Sequence, residues 1–153
     1  MKFNILLISF FSISSLFAQR YTDAIGLRFA NLGFTQINGK HFTSENTAIE
    51  ANIGGNSNYV WLQGNFELQY QLTKEVDYYL GAGPGLGLVS GNPILGNSST
   101  SRFMLGANAV AGVEYVLPDH PITFSLETGP YLQVIPNVRL AWNFGIAARY
   151  VLR

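Results

Sequence analysis

The sequence predicts an all-β fold, eight antiparallel strands closed up-and-down into a single barrel, and three observations predict it. Alternation of apolar and polar residues with a period of two runs through segments longer than the five or six residues usual in soluble sheets. Eight such segments are separated by connectors rich in Gly, Asn, Ser, Pro and charge. The chain is 48% hydrophobic and 14% aromatic but only 12% charged, about half the charged share of roughly 25% in soluble proteins. At 153 residues it forms one domain.

Before the first strand, Lys2 is followed by an apolar stretch from Phe3 to Phe17 and then Ala18-Gln19. A basic residue, a short apolar core and a small residue at the cut describe a secretory signal peptide, expected to be cleaved near Ala18. The stretch is shorter than the ~20 residues of a spanning helix, and no Cys follows it to carry a lipid anchor. Residues 1–18 are therefore read as the signal peptide and 19–153 as the barrel domain.

The strands follow in order. Thr22 to Ala30 sets Ile25, Leu27 and Phe29 against Ala24, Gly26 and Arg28. Phe34 to Phe42 has the weakest contrast, mixing Gln36, Asn38 and Lys40 with Phe34, Ile37 and Phe42. Thr47 to Gly54 sets Ile49, Ala51 and Ile53 against Ala48, Glu50 and Asn52. The clearest run, Tyr59 to Leu72, puts Val60, Leu62, Phe66 and Leu68 on one face and Gln63, Asn65, Glu67 and Gln69 on the other. Tyr78 to Leu88 opposes Leu80, Ala82, Pro84 and Leu86 to Tyr79, Gly81, Gly83 and Gly85. Arg102 to Leu117 places Leu105, Ala107 and Val113 against Met104, Asn108 and Glu114. Ile122 to Leu132 and Leu140 to Leu152 complete the set, with Phe124, Leu126, Phe144 and Ile146 opposite Ser125, Glu127, Asn143 and Arg149. The connectors at 43–46, 73–77 and 118–121 are charged and turn-like. Those at 31–33, 54–58, 89–101 and 133–137 are expected to be the longer loops of the other end.

Periodicity alone leaves open which face meets water, and the polar face decides. A water-facing wall carries many Lys and Glu, about 25–35% charged residues. Here that face is Gln, Asn, Gly, Ala and Ser, with few charges. Such a face suits a narrow interior, and the oily face then meets lipid. Aromatics near strand ends fit interfacial girdles: Tyr59, Trp61, Tyr70, Tyr78, Tyr79, Tyr115, Tyr131, Trp142 and Tyr150. Trp61 and Tyr79 fall on the inward parity. The reading is a transmembrane barrel; the alternative is a secreted soluble barrel or sandwich that carries a ligand.

On this parity Arg28, Glu50, Glu67, Glu114, Glu127 and Arg149 point into the lumen. Charges in so narrow a space must be paired or hydrated, and an eight-stranded barrel is just wide enough for side chains to fill it. The expectation is a structural salt-bridge core that plugs the lumen. Lys40, Arg102 or a protonated Glu would complete its balance. A proton or cation path through the acids is the alternative.

No enzyme is expected. With no Cys there is no disulfide, thiolate zinc site or cysteine nucleophile. Zero net charge leaves no electrostatic footprint for nucleic acid. His41 and His120 both fall at the end of the charged turns, and two histidines build no zinc site. Ser44 and Glu45 lie near His41 in sequence, but a lipid hydrolase needs Ser, His and acid converging on one wall. Gly81, Gly83, Gly85 and Gly87 alternate strictly, so they read as a strand face without side chains and not as a phosphate loop. They make room for a bulky neighbour such as Tyr79 or Trp61, or for an arginine network. No cofactor or metal is predicted.

Tyr21-Thr22-Asp23-Ala24-Ile25-Gly26-Leu27-Arg28-Phe29 resembles the first strand of the small outer-membrane β-barrel proteins of Bacteroidetes. Lys40 to Glu50 is similar to their second hairpin with its short periplasmic turn, and Ala148-Arg149-Tyr150 to their last-strand ending. Where many outer-membrane barrels stop on an aromatic residue, this sequence continues past Tyr150 with Val151-Leu152-Arg153. The resemblance implies an eight-stranded barrel in the outer membrane, mostly without assigned activity; the sequence as a whole is read as a monomer in the cell outer membrane of a Gram-negative bacterium. Its expected partners are outer-membrane lipid and the assembly machinery that inserts it. An extracellular ligand is expected at the loop Val89 to Ser101, the site of a structural or binding role. The alternatives are an acyl-chain-modifying enzyme or a narrow channel.

Overall fold

The computed structural model describes residues 21–32, 34–57, 59–89 and 103–152. The expected signal peptide, Arg102 and most of the 89–101 loop lie outside the described residues. Eight strands are present: β1 Asp23–Ala30, β2 Phe34–Phe42, β3 Thr47–Asn56, β4 Tyr59–Gln71, β5 Val76–Val89, β6 Phe103–Val116, β7 Ile122–Ile135 and β8 Arg139–Leu152. Each pairs antiparallel with its sequence neighbours, and β1 pairs with β8 to close the barrel.

Closure removes every sheet edge, so all strands find backbone partners on both sides. The start of β1 and the end of β8 share one end of the barrel, here the terminal end; the opposite end is the loop end. Two prolines mark where the ladders lapse. Pro84 pairs with Ala107 on β6, but the β4–β5 register runs from Gln63↔Gly85 to Phe66↔Ala82 with no pair between. Pro130 likewise pairs with Trp142 on β8, while the β6–β7 register is open between Asn108↔Tyr131 and Ala111↔Thr128. Proline lacks the N–H that a second ladder would need.

Four strands run further than the alternation suggested. β3 continues to Asn56, β7 reaches Ile135 and β8 begins at Arg139. The 54–58 and 133–137 segments are therefore mostly strand. Their connectors shrink to 57–58 and 136–138, shorter than the four- and five-residue turns 43–46, 72–75 and 117–121 at the terminal end. The β5–β6 connection, residues 90–102, is longer than any of these. β5 starts early, at Val76, because Val76 and Asp77 pair with Tyr115 and Glu114.

The inward and outward faces separate as the alternation predicts. Ile25, Leu27, Phe29, Phe66, Leu80, Leu126, Phe144 and Ile146 are exposed on the outer wall, while Arg28, Glu50, Asn65, Glu67, Glu114 and Arg149 are buried inside. Tyr70, Tyr78, Tyr115, Trp142 and Tyr150 lie on the outer face, as girdle residues should. Trp61 and Tyr79 are buried in the lumen, in keeping with their parity. Tyr59 and Tyr131, also counted with the girdle, are buried inward too, because each shares its strand's inward parity and fills the loop end of the lumen.

Candidate functional site

The lumen is built in layers. At the loop end, Leu32, Tyr59, Trp61, Met104 and Tyr131 form an apolar cluster, with the Trp61 and Tyr131 rings edge-on at 5.2 Å. At the terminal end, Tyr21, Ala24, Phe42 and Ala48 form a second. Phe42 points inward, and its ring meets Tyr21 edge-on at 5.0 Å. Between the two caps the interior is polar.

All six charges assigned to the lumen from the sequence are buried there, and they fall into two groups. Nearer the loop end, Arg28 Nε donates to Glu127 Oε1 at 2.8 Å and its Nη2 pairs with the same oxygen. Tyr79 donates to Glu127 Oε2 at 2.8 Å, and Arg28 Nη1 donates to Gln36 at 2.7 Å. Nearer the terminal end, Arg149 pairs with Glu50 at 2.6 Å and with Glu114 at 3.3 Å. Lys40 is the third base: its Nζ lies 2.8 Å from Glu67 and 3.1 Å from Glu114, and 4.4 Å from the centre of the Tyr79 ring.

Neutral side chains tie these ions together. Gln69 donates to Glu114 and to Asp77, both at 2.9 Å, and accepts from Lys40 at 2.5 Å. Asn52 donates to Glu50 at 2.8 Å, and Asn38 joins Asn52 to the Arg149 guanidinium. Tyr21 donates to Glu114 at 2.7 Å. Burial, with the Glu114 carboxylate beside it, pushes the Tyr21 hydroxyl well above a phenol's ordinary range, so it stays a donor to that carboxylate. The sequence reading assigned neither Asp77 nor Tyr21 to the lumen: Asp77 sits where a turn was expected, and Tyr21 precedes the strand.

Glycines give the large lumen side chains their space. A Cβ at Gly112 would enter the Tyr79 ring, and one at Gly145 would meet the Arg28 guanidinium at 3.0 Å. On β5, Gly85 faces Tyr131 and Trp61, and Gly87 faces Met104 and Trp61. Past these empty positions β4 reaches β6 directly: Asn108 donates to Asn65 at 2.8 Å, and Gly83 is the β5 residue paired with Asn108. The Gly81–Gly87 stripe thus admits Trp61 as expected. Tyr79, from the same strand, is housed by Gly112 of β6.

Outside the lumen, the residues weighed for catalysis do not meet. His41 Nδ1 lies 2.7 Å from Asp23 on the outer face, and Ser44 bonds Thr47 at 2.5 Å within its own turn. His120 lines a shallow recess at the terminal end with Asp119, Val116 and Leu152. Among the described residues no group of three or more His, Cys, Asp or Glu could hold a metal ion.

Neither a family model nor a curated protein matches the sequence. A solved structure described as "De novo design of transmembrane beta-barrels" is similar in fold, with 15% identity, a TM-score of 0.59, and coverage of 89% of this chain and 100% of that one. The fold is thus an all-β, closed eight-stranded antiparallel barrel, shared with that designed barrel.

Proposed function

We propose that the protein is an integral outer-membrane barrel whose lumen is plugged by its own ion network, and whose role is structural or one of binding through its loop end. The observation that carries this reading is the inversion of the two faces. The outer wall exposes Phe66, Leu80, Leu126, Phe144 and Ile146, whereas four glutamates, two arginines and a lysine are buried. An apolar belt of this extent is costly in water and favourable in hydrocarbon.

The two apolar caps and the ion network between them support a plug over a conducting path. Rigid strands joined by one long connection, at the Val89 to Ser101 stretch, suit a scaffold that presents a binding segment. The resemblance to small outer-membrane barrels of Bacteroidetes supports the outer membrane as the location, lipid and the assembly machinery as partners, and a monomeric state. With His41 held by Asp23 and Ser44 by Thr47, the acyl-chain-modifying alternative lacks a converged triad among the described residues.

Fractionation with a gel shift on heating tests the membrane reading: the expected result is recovery with outer membranes as a heat-modifiable band. Recovery in the soluble fraction would favour the secreted carrier. Planar-bilayer recording tests the plug, and steady, reproducible conductance steps from the purified protein would sink it.

A further inference from the structure

Among the described residues the lumen's buried charges do not balance, and the imbalance is local. Arg28 and Glu127 form a self-contained pair, completed by Tyr79 and Gln36. What remains is two bases, Lys40 and Arg149, among three acids, Glu50, Glu67 and Glu114. Asp77, held by Gln69, adds negative charge toward the terminal end.

The three glutamates are not equally served. Glu114 takes Tyr21 and Arg149 on one oxygen and Lys40 and Gln69 on the other. Glu50 takes Asn52 on one oxygen and Arg149 on the other. Among the described residues Glu67 faces only the lysine it shares with Glu114, and its Oε1 has no hydrogen-bond partner there. Next to it, Gly81 of β5 and Val110 of β6 offer no charge. Further along β4 and across on β6 stand the amides of Gln63, Asn65 and Asn108, each with one unpartnered atom. An uncompensated charge in a water-poor interior is among the costliest features a fold can carry, and such a group takes up a counter-charge or neutralises.

We propose that Glu67 binds a proton and stands as a neutral carboxylic acid in the folded barrel at neutral pH, a one-proton site inside the lumen. Its proton replaces the missing third base and leaves Lys40 and Arg149 matched by Glu50 and Glu114. The inference rests on the sealed lumen of the proposed function, since a wet channel would hydrate a third carboxylate.

Infrared spectroscopy of the folded wild-type protein in lipid vesicles tests it directly. A protonated-carboxyl C=O stretch, resolved from the amide band, is expected at neutral pH. Glu67→Gln should abolish that band while the heat-modifiable gel shift persists. Glu50→Gln, which leaves two acids for two bases, should also weaken it, so the site is assigned by charge-conserving variants: Glu67→Asp should shift the band and Glu50→Asp should leave it in place. Lys40→Met, which removes a second positive charge, should roughly double it, a readout that stands even where Glu67→Gln does not fold. A wild type without the band overturns the proposal, as it would if a bound monovalent cation supplied the balance. A band that survives Glu67→Gln overturns it equally. Bilayer conductance by the wild type counts against the sealed lumen and absence of the band against the proton, so the two fail separately.

Discussion

The two faces of β4 carry opposite solvents in one stretch of chain. Phe66 is 54% exposed and its neighbour Glu67 fully buried, and the same reversal holds for Leu62 beside Gln63 and Leu68 beside Gln69. In a water-soluble barrel the order would be the other way round. The contrast teaches that burial here does not follow hydrophobicity: on the proposed membrane reading the outer wall is sorted by what lipid accepts, the inner by what the other strands can pair. Each face therefore fails by a different mechanism.

The largest expected effect lies inside. Arg149→Met leaves Glu50 and Glu114 without their shared guanidinium and should destabilise the barrel by about 3–5 kcal/mol, the cost of breaking a buried ion pair on one side. Urea unfolding from lipid vesicles measures it, and a loss under about 1 kcal/mol would mean that the lumen is wet. Next comes the outer wall. Phe66→Arg, at mid-height, should cost about 2–4 kcal/mol in a bilayer by the same assay. A neutral outcome would point to water outside and break the comparison. Third is the fit between inward residues. Gly112→Ala drives a methyl into the Tyr79 ring and should cost about 1–3 kcal/mol; Tyr79→Leu relieves that clash but gives up the hydrogen bond to Glu127, so the two substitutions together should cost less than their sum. The smallest effect belongs to the exposed rim, where His41→Ala breaks a solvated pair with Asp23 and should shift stability by no more than about 1 kcal/mol.

Most of this contrast was legible in the sequence, for a physical reason. A two-residue period assigns every side chain of a strand once one is assigned, so Glu67 and Arg149 could be placed inward without knowing any contact. Such reasoning weakens where a strand meets the end of the barrel. Phe42 is apolar yet inward, because near the terminal end the lumen is capped by rings and not by ions. Tyr59 and Tyr131 do the same at the loop end. β3, β7 and β8 outrun their predicted limits because Gly, Pro and Asn there read as loop, while backbone pairing to a neighbour continues. Lys40 was visible only as one of several candidates for the third base. Its choice of Glu67 and Glu114 depends on which strands face each other across the lumen, and alternation along single strands does not encode that.

The glycine opposite each large lumen side chain has a consequence for how the sequence can change. Tyr79 and Gly112 occupy one volume between them, as do Arg28 and Gly145. Neither member can grow unless the other shrinks, so drift at these sites must proceed by compensated pairs. Homologous barrels are then expected to carry mirror-image solutions, the bulky residue on one strand in some and on its neighbour in others. Aligned sequences would register each socket as a covarying couple even where the identity of the ions has been lost.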